Sequence, residues 1–462
     1  MIRFDLAVIG GGPGGYVAAI RAAQLGLKVC IIEKEKLGGV CLNWGCIPTK
    51  ALIKNAEVYS LIKHSENYGI KVQNISIDFK KNVKRSRDIA QRLSKGIEFL
   101  MKKNNIKHFN GIGRLKSKNN IEVNNNGKTY IVDTDKIIIA TGARPKTFPG
   151  LDFDSENVIS SKDAMLLENP PKDLIIIGSG AIGVEFAYYF NEFGTKVHIL
   201  EMMDRILPNE DQEVSEEVEK NFKKSGIKIT KGVKVSKIQS MKQNSKVFLE
   251  NKTTEEIIKA EKVLLAVGVT GNVNDIGLED LGIETEAGAI KTDNLNRTNI
   301  DNIYAIGDVC GPPWLAHVAS AQGHIAAEHS AGFNVSPIDY SNIPGCTYCQ
   351  PQVGSLGMTE EEALSSGFKI KVGKFSFQAS GKAMAVGDTL GFVKLIFDEK
   401  YGELLGAHIV GSEATEMIAE LGIAKALEAT WDDLSMTIHA HPTLSEAIME
   451  AAMDAQGHSI HQ

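Results

Sequence analysis

The sequence predicts an α/β fold: two Rossmann-like units followed by a C-terminal α+β domain. Three observations predict it. The chain opens on a strand, glycine turn, helix, strand, acid pattern; the same pattern returns after residue 172; and residues 341–462 change texture, alternating short strands with two helices.

Size and composition set the bounds. A chain of 462 residues has room for about three domains. Hydrophobic residues make up 43% and charged residues 23%, as in a globular protein, and 44 glycines suggest many tight strand-to-helix turns. A net charge of −6 leaves no basic excess to neutralise phosphates, which argues against a nucleic-acid partner and disfavours an anionic membrane surface. No apolar run is long enough to span a bilayer. Met1 to Asp5 leads directly into a strand-like run without a signal segment, so the expected location is cytoplasmic. Six cysteines are too few for a secreted disulfide scaffold.

The first unit begins with the apolar run 4–9. Gly10, Gly12 and Gly15 follow in G-x-G-x-x-G spacing, then a helical pattern from Tyr16 to Leu25 and a strand from Lys28 to Ile32 that ends in Glu33. Glycines there let the backbone approach a pyrophosphate at a helix N-terminus, and the acid stands where it can hold a ribose hydroxyl. This is a dinucleotide site. Residues 51–105 read as helical with a solvated charged face, residues 106–133 as short strands, and Lys136 to Ala140 as a buried strand ending in Thr141-Gly142.

Pro145, Pro149, Pro170 and Pro171 bracket a linker-like boundary. Beyond it the second unit runs through the strand Asp173 to Ile177, then Gly178, Gly180 and Gly183, a helix from Ala181 to Phe193, and the strand Thr195 to Leu200 ending in Glu201. One chain therefore binds two dinucleotides, or one unit has lost its ligand. A carboxylate at Glu201 accepts bonds from a 2′-hydroxyl and repels a 2′-phosphate, favouring NAD over NADP; Arg205 is the one nearby cation that weakens this reading. Further strands end at Gly268 and at Asp308, and a helix runs from Leu315 to Ala331.

Two constellations carry chemistry. In Gly38 to Lys50, Cys41 and Cys46 stand five positions apart. On an ideal helix they would lie roughly 140° apart around the axis, too far to meet. A loop entering a helix start would bring them together and lower the pKa of one thiol. Read alone, the pair fits two inert buried thiols equally well. Zinc is the weaker choice, since no second pair stands at ligand spacing nearby, and no metal site is expected. Near the C-terminus His441 precedes Pro442 and stands five residues before Glu446. A carboxylate that orients an imidazole suits a general base, although a lone His-x-His is more often a satisfied loop pair.

Together these motifs resemble the flavin disulfide oxidoreductases, in particular the members that oxidise dihydrolipoamide. The marks are the Gly10, Gly12, Gly15 turn, the Gly39-Val40-Cys41 to Lys50 segment, Ala140-Thr141-Gly142, the second glycine turn, Ala305 to Asp308, and His441-Pro442-Thr443 with Glu446. The resemblance covers essentially the whole chain. It implies an FAD-binding domain at 1–148 completed by 272–340, an NAD-binding domain at 149–271, and a C-terminal interface domain at 341–462 that makes a homodimer. It implies FAD contacts at Glu33, Lys50, Gly113, Thr141, Gly142, Asp308 and Ala316, and NAD contacts at Gly178, Gly180, Gly183, Glu201, Val235 and Gly268. Glu185 would pair with Lys50 near the flavin. Cys41 and Cys46 would form a redox disulfide that a substrate dithiol reduces at Cys41, with His441 of the partner subunit, held by Glu446, as the base. The implied partners are lipoyl-bearing carrier subunits of 2-oxoacid dehydrogenase complexes or of glycine cleavage.

Two departures stand out. Val269-Thr270-Gly271 occupies the place of the family's Arg-rich segment, and Cys346-x-x-Cys349 falls where the family has no redox pair, so we read it as incidental. Among rival readings, a reductase using NADPH on a glutathione-like disulfide is opposed by Glu201. A non-catalytic nucleotide-binding subunit is opposed by the joint presence of Cys41, Cys46, Lys50, Glu185, His441 and Glu446.

Overall fold

In the computed structural model, which describes residues 2–250 and 255–461, the strand Ile2–Ile9 sits inside a seven-stranded sheet. It pairs in parallel with Val29–Glu33 on one side and Lys128–Ile139 on the other. Leu6, Ala7 and Val8 are fully buried, as a strand covered on both faces requires. The late strand Ile303–Ala305 also pairs with Lys128–Ile139, which brings Asp308 back to the mouth of the first glycine turn. At that turn Gly10 has φ +109°, and a Cβ there would stand 2.1 Å from the carbonyl oxygen of Ala140. Only glycine lets the two neighbouring strand ends close so tightly, at the point where the strand order reverses and open α/β sheets bind ligands.

The second sheet has five parallel strands, with Asp173–Ile177 at its centre between Lys196–Leu200 and Lys262–Leu265. Its glycine turn repeats the first: Gly178 has φ +97°, and a Cβ there would meet the Ala266 carbonyl at 2.4 Å. A three-stranded antiparallel sheet, Lys234–Ser240, Ser245–Glu250 and Glu255–Ala260, lies in the same part of the chain. The proline-bracketed segment is more than a linker. Val158–Ile159 adds the edge strand of the five-stranded parallel sheet, beside Lys262–Leu265, and Ser160 and Asp163 close a capping box on the helix Ser161–Ala164. The prolines punctuate the segment without keeping it out of the sheet, because a two-residue edge strand needs few ladder bonds.

The last sheet is antiparallel, in the order Gly345–Thr347, Gln352–Gly357, Leu404–Gly411, Phe392–Asp398, Ile370–Ser376. Helices Ala414–Ala426 and Glu446–Ala455 bury Met417, Ile418, Leu421, Ile448 and Ala451 in its core. Residues 51–105 are not one helical stretch. Helix Cys46–Lys63 stops, a short 3-10 turn and an irregular segment intervene, and helix Phe79–Lys103 starts with its N-cap at Asp78. The largest core joins parts far apart in sequence: Leu52, Ile53 and Ala56 pack in one cluster with Val184, Phe186, Cys349, Val353 and Val410. Among the described residues, no helix is long and apolar enough to cross a membrane.

Candidate active site

The cysteine segment folds as two helices, Gly39–Trp44 and Cys46–Lys63, broken at Gly45 (φ −145°, ψ −111°). Cys41 therefore sits on a short helix of its own, where a loop was expected, and the break rather than a loop turns it toward Cys46. Gly39 (φ +57°) makes the approach to the first glycine turn possible, since a Cβ there would lie 2.6 Å from Gly12 Cα. The short helix is pinned by buried Asn43, whose amide donates to the carbonyls of Leu37 (3.2 Å) and Gly39 (3.0 Å). Arg87 donates to the Asn43 carbonyl and stacks on Trp44, which carries Lys162 4.2 Å from its ring centroid as well. Neither Arg87 nor Asn43 has a sequence signal that singles it out.

Both cysteines carry free thiols in this structure. The Cys41 thiol donates to the Cys46 sulfur. That bond holds Cys46 below the ordinary thiol range and Cys41 well above it. Burial opposes charge on both sulfurs, while Lys50 favours the thiolate of Cys46. Cys46 also opens helix Cys46–Lys63, where backbone N–H groups stabilise an anion. The two sulfurs are thus differentiated: the surroundings favour the thiolate at Cys46 and the thiol at Cys41.

Lys50, one turn further along the same helix, places Nζ 2.8 and 2.9 Å from the two carboxylate oxygens of Glu185. Glu185 is buried on helix Ala181–Glu192 of the second unit. Its Oε1 also accepts the N–H of Tyr348 at 3.1 Å, and the Tyr348 ring lies 4.5 Å from Lys50 Nζ.

The two strand-end acids behave alike. Glu33 accepts the N–H groups of Gly11 and Glu35, both at 2.7 Å. Glu201, at the equivalent place, accepts the N–H (2.8 Å) and hydroxyl (2.6 Å) of Ser179 and the N–H of Met203 (2.9 Å). Each acid is buried and fixed at the lip of its glycine turn. Both helices that follow the turns start at a glycine N-cap without a side-chain cap, so their N-termini are available to an anion. Arg205 forms a two-point ion pair with Glu361 (3.2 and 2.9 Å), which commits the one cation that stood against an NAD preference.

Around the first turn, Thr141 exchanges bonds with Asn272 at 3.0 and 2.9 Å, Gly142 has φ +69°, and Ala316 begins helix Ala316–Ser330. Asp308 has no hydrogen bond to its carboxylate among the described residues; burial raises its pKa, and it lies close enough to Cys41 to raise that thiol further. Gly113 lies in the strand Ile112–Ser117 against Ile9 and Ile32. Gly268 follows the strand Lys262–Leu265 with φ +98°, and Val235 lies in the three-stranded sheet, opposite Leu249. The uncapped helix start, the fixed Glu33 and the unpartnered Asp308 together fit a flavin dinucleotide; the second turn with Glu201 fits a nicotinamide dinucleotide. Val269–Gly271 pairs with Ala143–Pro145, and Arg144 donates to the Gly271 carbonyl at 2.9 Å.

His441 lies on the loop before helix Glu446–Ala455. Its Nδ1 is 2.9 Å from Glu446 Oε1, the Thr443 N–H donates to Glu446 Oε2 at 2.8 Å, and the ring is 78% exposed. Burial works against the Glu446 charge, yet the Thr443 N–H and His441 hold its carboxyl below the ordinary range. His439 is a satisfied neighbour, its Nε2 2.6 Å from Glu420. The Cys346 and Cys349 thiols join different cores: Cys346 packs on the C-terminal cluster and Cys349 is buried in the large shared one. Burial raises both, Cys346 to about 11, so neither has thiolate character.

The family described as "Pyridine nucleotide-disulphide oxidoreductase" matches residues 4–323, and its "dimerisation domain" matches residues 343–452. Among curated proteins, the chain is 46% identical to a dihydrolipoyl dehydrogenase of Chlorobaculum parvum over 98% of this chain and 97% of the relative. It is 47% identical to that of Zymomonas mobilis and 43% to that of Bacillus subtilis, with 99% of both chains covered in each case. Among solved structures it is similar to LpdA from Mycobacterium tuberculosis (TM-score 0.91, 25% identity, 98% and 99% covered). It is also similar to the HOCl-induced flavoprotein disulfide reductase RclA from Escherichia coli in its Cu(II) complex (TM-score 0.88, 27%, 98% and 99%).

Proposed function

The chain belongs to the pyridine nucleotide-disulphide oxidoreductase family, and from that premise we propose the following reading of its site. The protein is an FAD- and NAD-dependent dihydrolipoamide dehydrogenase, as its full-length relatives at 43% to 47% identity are named. The observation that carries the site assignment is geometric: the Gly45 break sets Cys41 against Cys46, which opens helix Cys46–Lys63, and Lys50, one turn on, is held by Glu185 of the second unit at 2.8 and 2.9 Å.

In the oxidised protein Cys41 and Cys46 form a disulfide. His441, oriented through Nδ1 by Glu446, takes a proton at Nε2 from one thiol of dihydrolipoamide. The resulting thiolate attacks Cys41 Sγ; the Cys41–Cys46 bond breaks, and Cys46 leaves as the thiolate that Lys50 and the helix start stabilise. The second substrate thiol attacks its own sulfur in the mixed disulfide, lipoamide closes, and Cys41 is released and protonated. FAD, when bound, would supply the two-electron acceptor for the Cys46 thiolate, and NAD⁺ the final hydride acceptor. Glu33, Thr141, Gly142, Asp308 and Ala316 would hold the first group, and Gly178, Gly180, Gly183, Glu201, Val235 and Gly268 the second.

The exposure of His441 supports a base acting on a neighbouring subunit's cysteines, in keeping with the family's dimerisation domain at 343–452. We assign FAD binding to 1–148 with 272–340, NAD binding to 149–271 and the dimer interface to 341–462. Lipoyl-bearing carriers in a cytoplasmic setting complete the reading. Steady-state turnover of dihydrolipoamide with NAD⁺ and with NADP⁺ tests it. The expected result is flavin-dependent NADH formation with strong preference for NAD⁺; NADPH formation from NADP⁺ at a comparable rate overturns the cofactor assignment.

A further inference from the structure

Tyr348 comes from the C-terminal sheet region yet touches both members of the ion pair that serves Cys46. Its main-chain N–H donates to Glu185 Oε1 at 3.1 Å, and its ring lies 4.5 Å from Lys50 Nζ. Lys50 is thus held from two sides. Glu185 supplies the charge, through contacts of 2.8 and 2.9 Å, and Tyr348 supplies a π face with a partly negative quadrupole. The lysine side chain retains 31% exposure, so water competes for its ammonium wherever the ring does not cover it. A cation screened from water acts on a neighbouring sulfur more strongly than a hydrated one.

We infer that the Tyr348 ring is a positioning residue for the thiol pair, holding Lys50 in place one turn along the helix that Cys46 opens. The inference rests on the reading of Cys46 as the charged, flavin-side sulfur. The phenol hydroxyl is not the acting part. It hydrogen-bonds to Cys346, whose thiol is neutral, and burial raises the phenol to about 12, so it carries no charge at working pH. The glutamate contact is made by the backbone and survives any side-chain change. What a substitution at 348 removes is the ring over Lys50.

The flavin-loaded protein with Cys41→Ser isolates Cys46, whose thiolate is titrated by its ultraviolet absorbance and by the pH dependence of its alkylation, located by peptide mass. In this background Tyr348→Phe is expected to leave the midpoint unchanged. Tyr348→Leu is expected to raise it by about half to one unit, a roughly three- to tenfold loss of thiolate at a fixed pH below the midpoint. Lys50→Met sets the upper end of the shift. If Tyr348→Leu does not accumulate with flavin, pentafluorophenylalanine at 348 replaces it, since it keeps the ring's shape and reverses its quadrupole; the same upward shift is expected. The inference is overturned if the midpoint stays put in the leucine or fluorinated variant, or if Tyr348→Phe shifts as far as Tyr348→Leu. A parent protein whose Cys46 titrates as an ordinary thiol would instead sink the site assignment itself, so the two failures are distinguishable.

Discussion

Lys50 and Glu185 are joined at 2.8 and 2.9 Å across two folding units, but their burial is unequal: the lysine side chain is 31% exposed and the glutamate 5%. The pair therefore does not break symmetrically. Lys50→Met leaves a carboxylate with no cation in a nearly dry place, whereas Glu185→Gln leaves an ammonium that can reach water. We expect Lys50→Met to cost about 2 to 3 kcal/mol of stability and Glu185→Gln about 1 kcal/mol. Denaturant unfolding of the two flavin-loaded variants checks this; equal losses would mean that the burial difference has no energetic weight.

His441 lies on the loop that precedes helix Glu446–Ala455, with its ring open to solvent and the Glu446 carboxylate fixed by the Thr443 N–H. His441→Gln removes the base while leaving the flavin cradle untouched. Its expected effect is a loss of at least about 100-fold in dihydrolipoamide oxidation with flavin content unchanged. Glu446→Gln keeps the imidazole but removes the carboxylate that orients it, so turnover should fall less than in His441→Gln, with flavin content again unchanged. Equal loss of flavin and activity in His441→Gln would make the histidine structural.

Glu201 is locked by Ser179 and Met203, and Arg205 is committed to Glu361. Glu201→Arg should reduce the preference for NAD⁺ over NADP⁺ by at least about tenfold, close to the worth of one charge contact. Adding Glu361→Ala frees Arg205 and should move the ratio further toward NADP⁺. The ratio of kcat/KM for the two nucleotides is the measurement. An unchanged ratio in the double variant would show that neither residue reads the 2′ position.

These residues also mark where the sequence is legible. Gly10 and Gly178 can be read because backbone crowding at a strand end admits only glycine, so a local rule has a global meaning. Glu33 and Glu201 follow at a fixed distance because each turn, helix and strand has a set length. The break at Gly45 is harder to read: Cys41 and Cys46 were expected to meet through a loop, and instead two helices meet at an angle that only the backbone dihedrals reveal. The pause between Lys63 and Phe79 is readable in hindsight, because Ile70 and Val72, then Ile75 and Ile77, stand two apart rather than at helical spacing. Tyr348 over Lys50 and Arg205 on Glu361 are contacts between distant parts of the chain, for which one sequence offers no pattern.

Among the described residues Lys394 is the most buried lysine or arginine, with 2% of its side chain exposed. It meets Asp211 at 3.0 Å, Glu213 at 2.8 Å and Glu360 at 2.7 Å, joining the C-terminal sheet to helix Gln212–Lys224 of the second unit. Lys374 also pairs with Glu213, and His408, whose pKa burial lowers, lies beside Asp211. Burial opposes charge on Asp211 and Glu213, but His408, Lys374 and Lys394 bring both carboxyls below their ordinary values. Depressed carboxyls stabilise the fold above their unfolded pKa and lose that effect as pH falls through the folded one. Burial likewise opposes charge on Lys394, but the three acids raise its pKa, so its contribution is present below the ordinary lysine range and fades only in strong alkali. Lys394→Met should cost about 3 kcal/mol near neutrality, because it leaves clustered carboxylates without their shared cation. In that variant the acids bind protons more readily in the fold than in the unfolded chain, so acidification relieves the defect. The stability gap from the parent protein should therefore be widest at about pH 7 and narrow toward about pH 4. Urea unfolding of both proteins across that range measures the gap, and one that stays constant would show that the lysine acts through packing rather than charge.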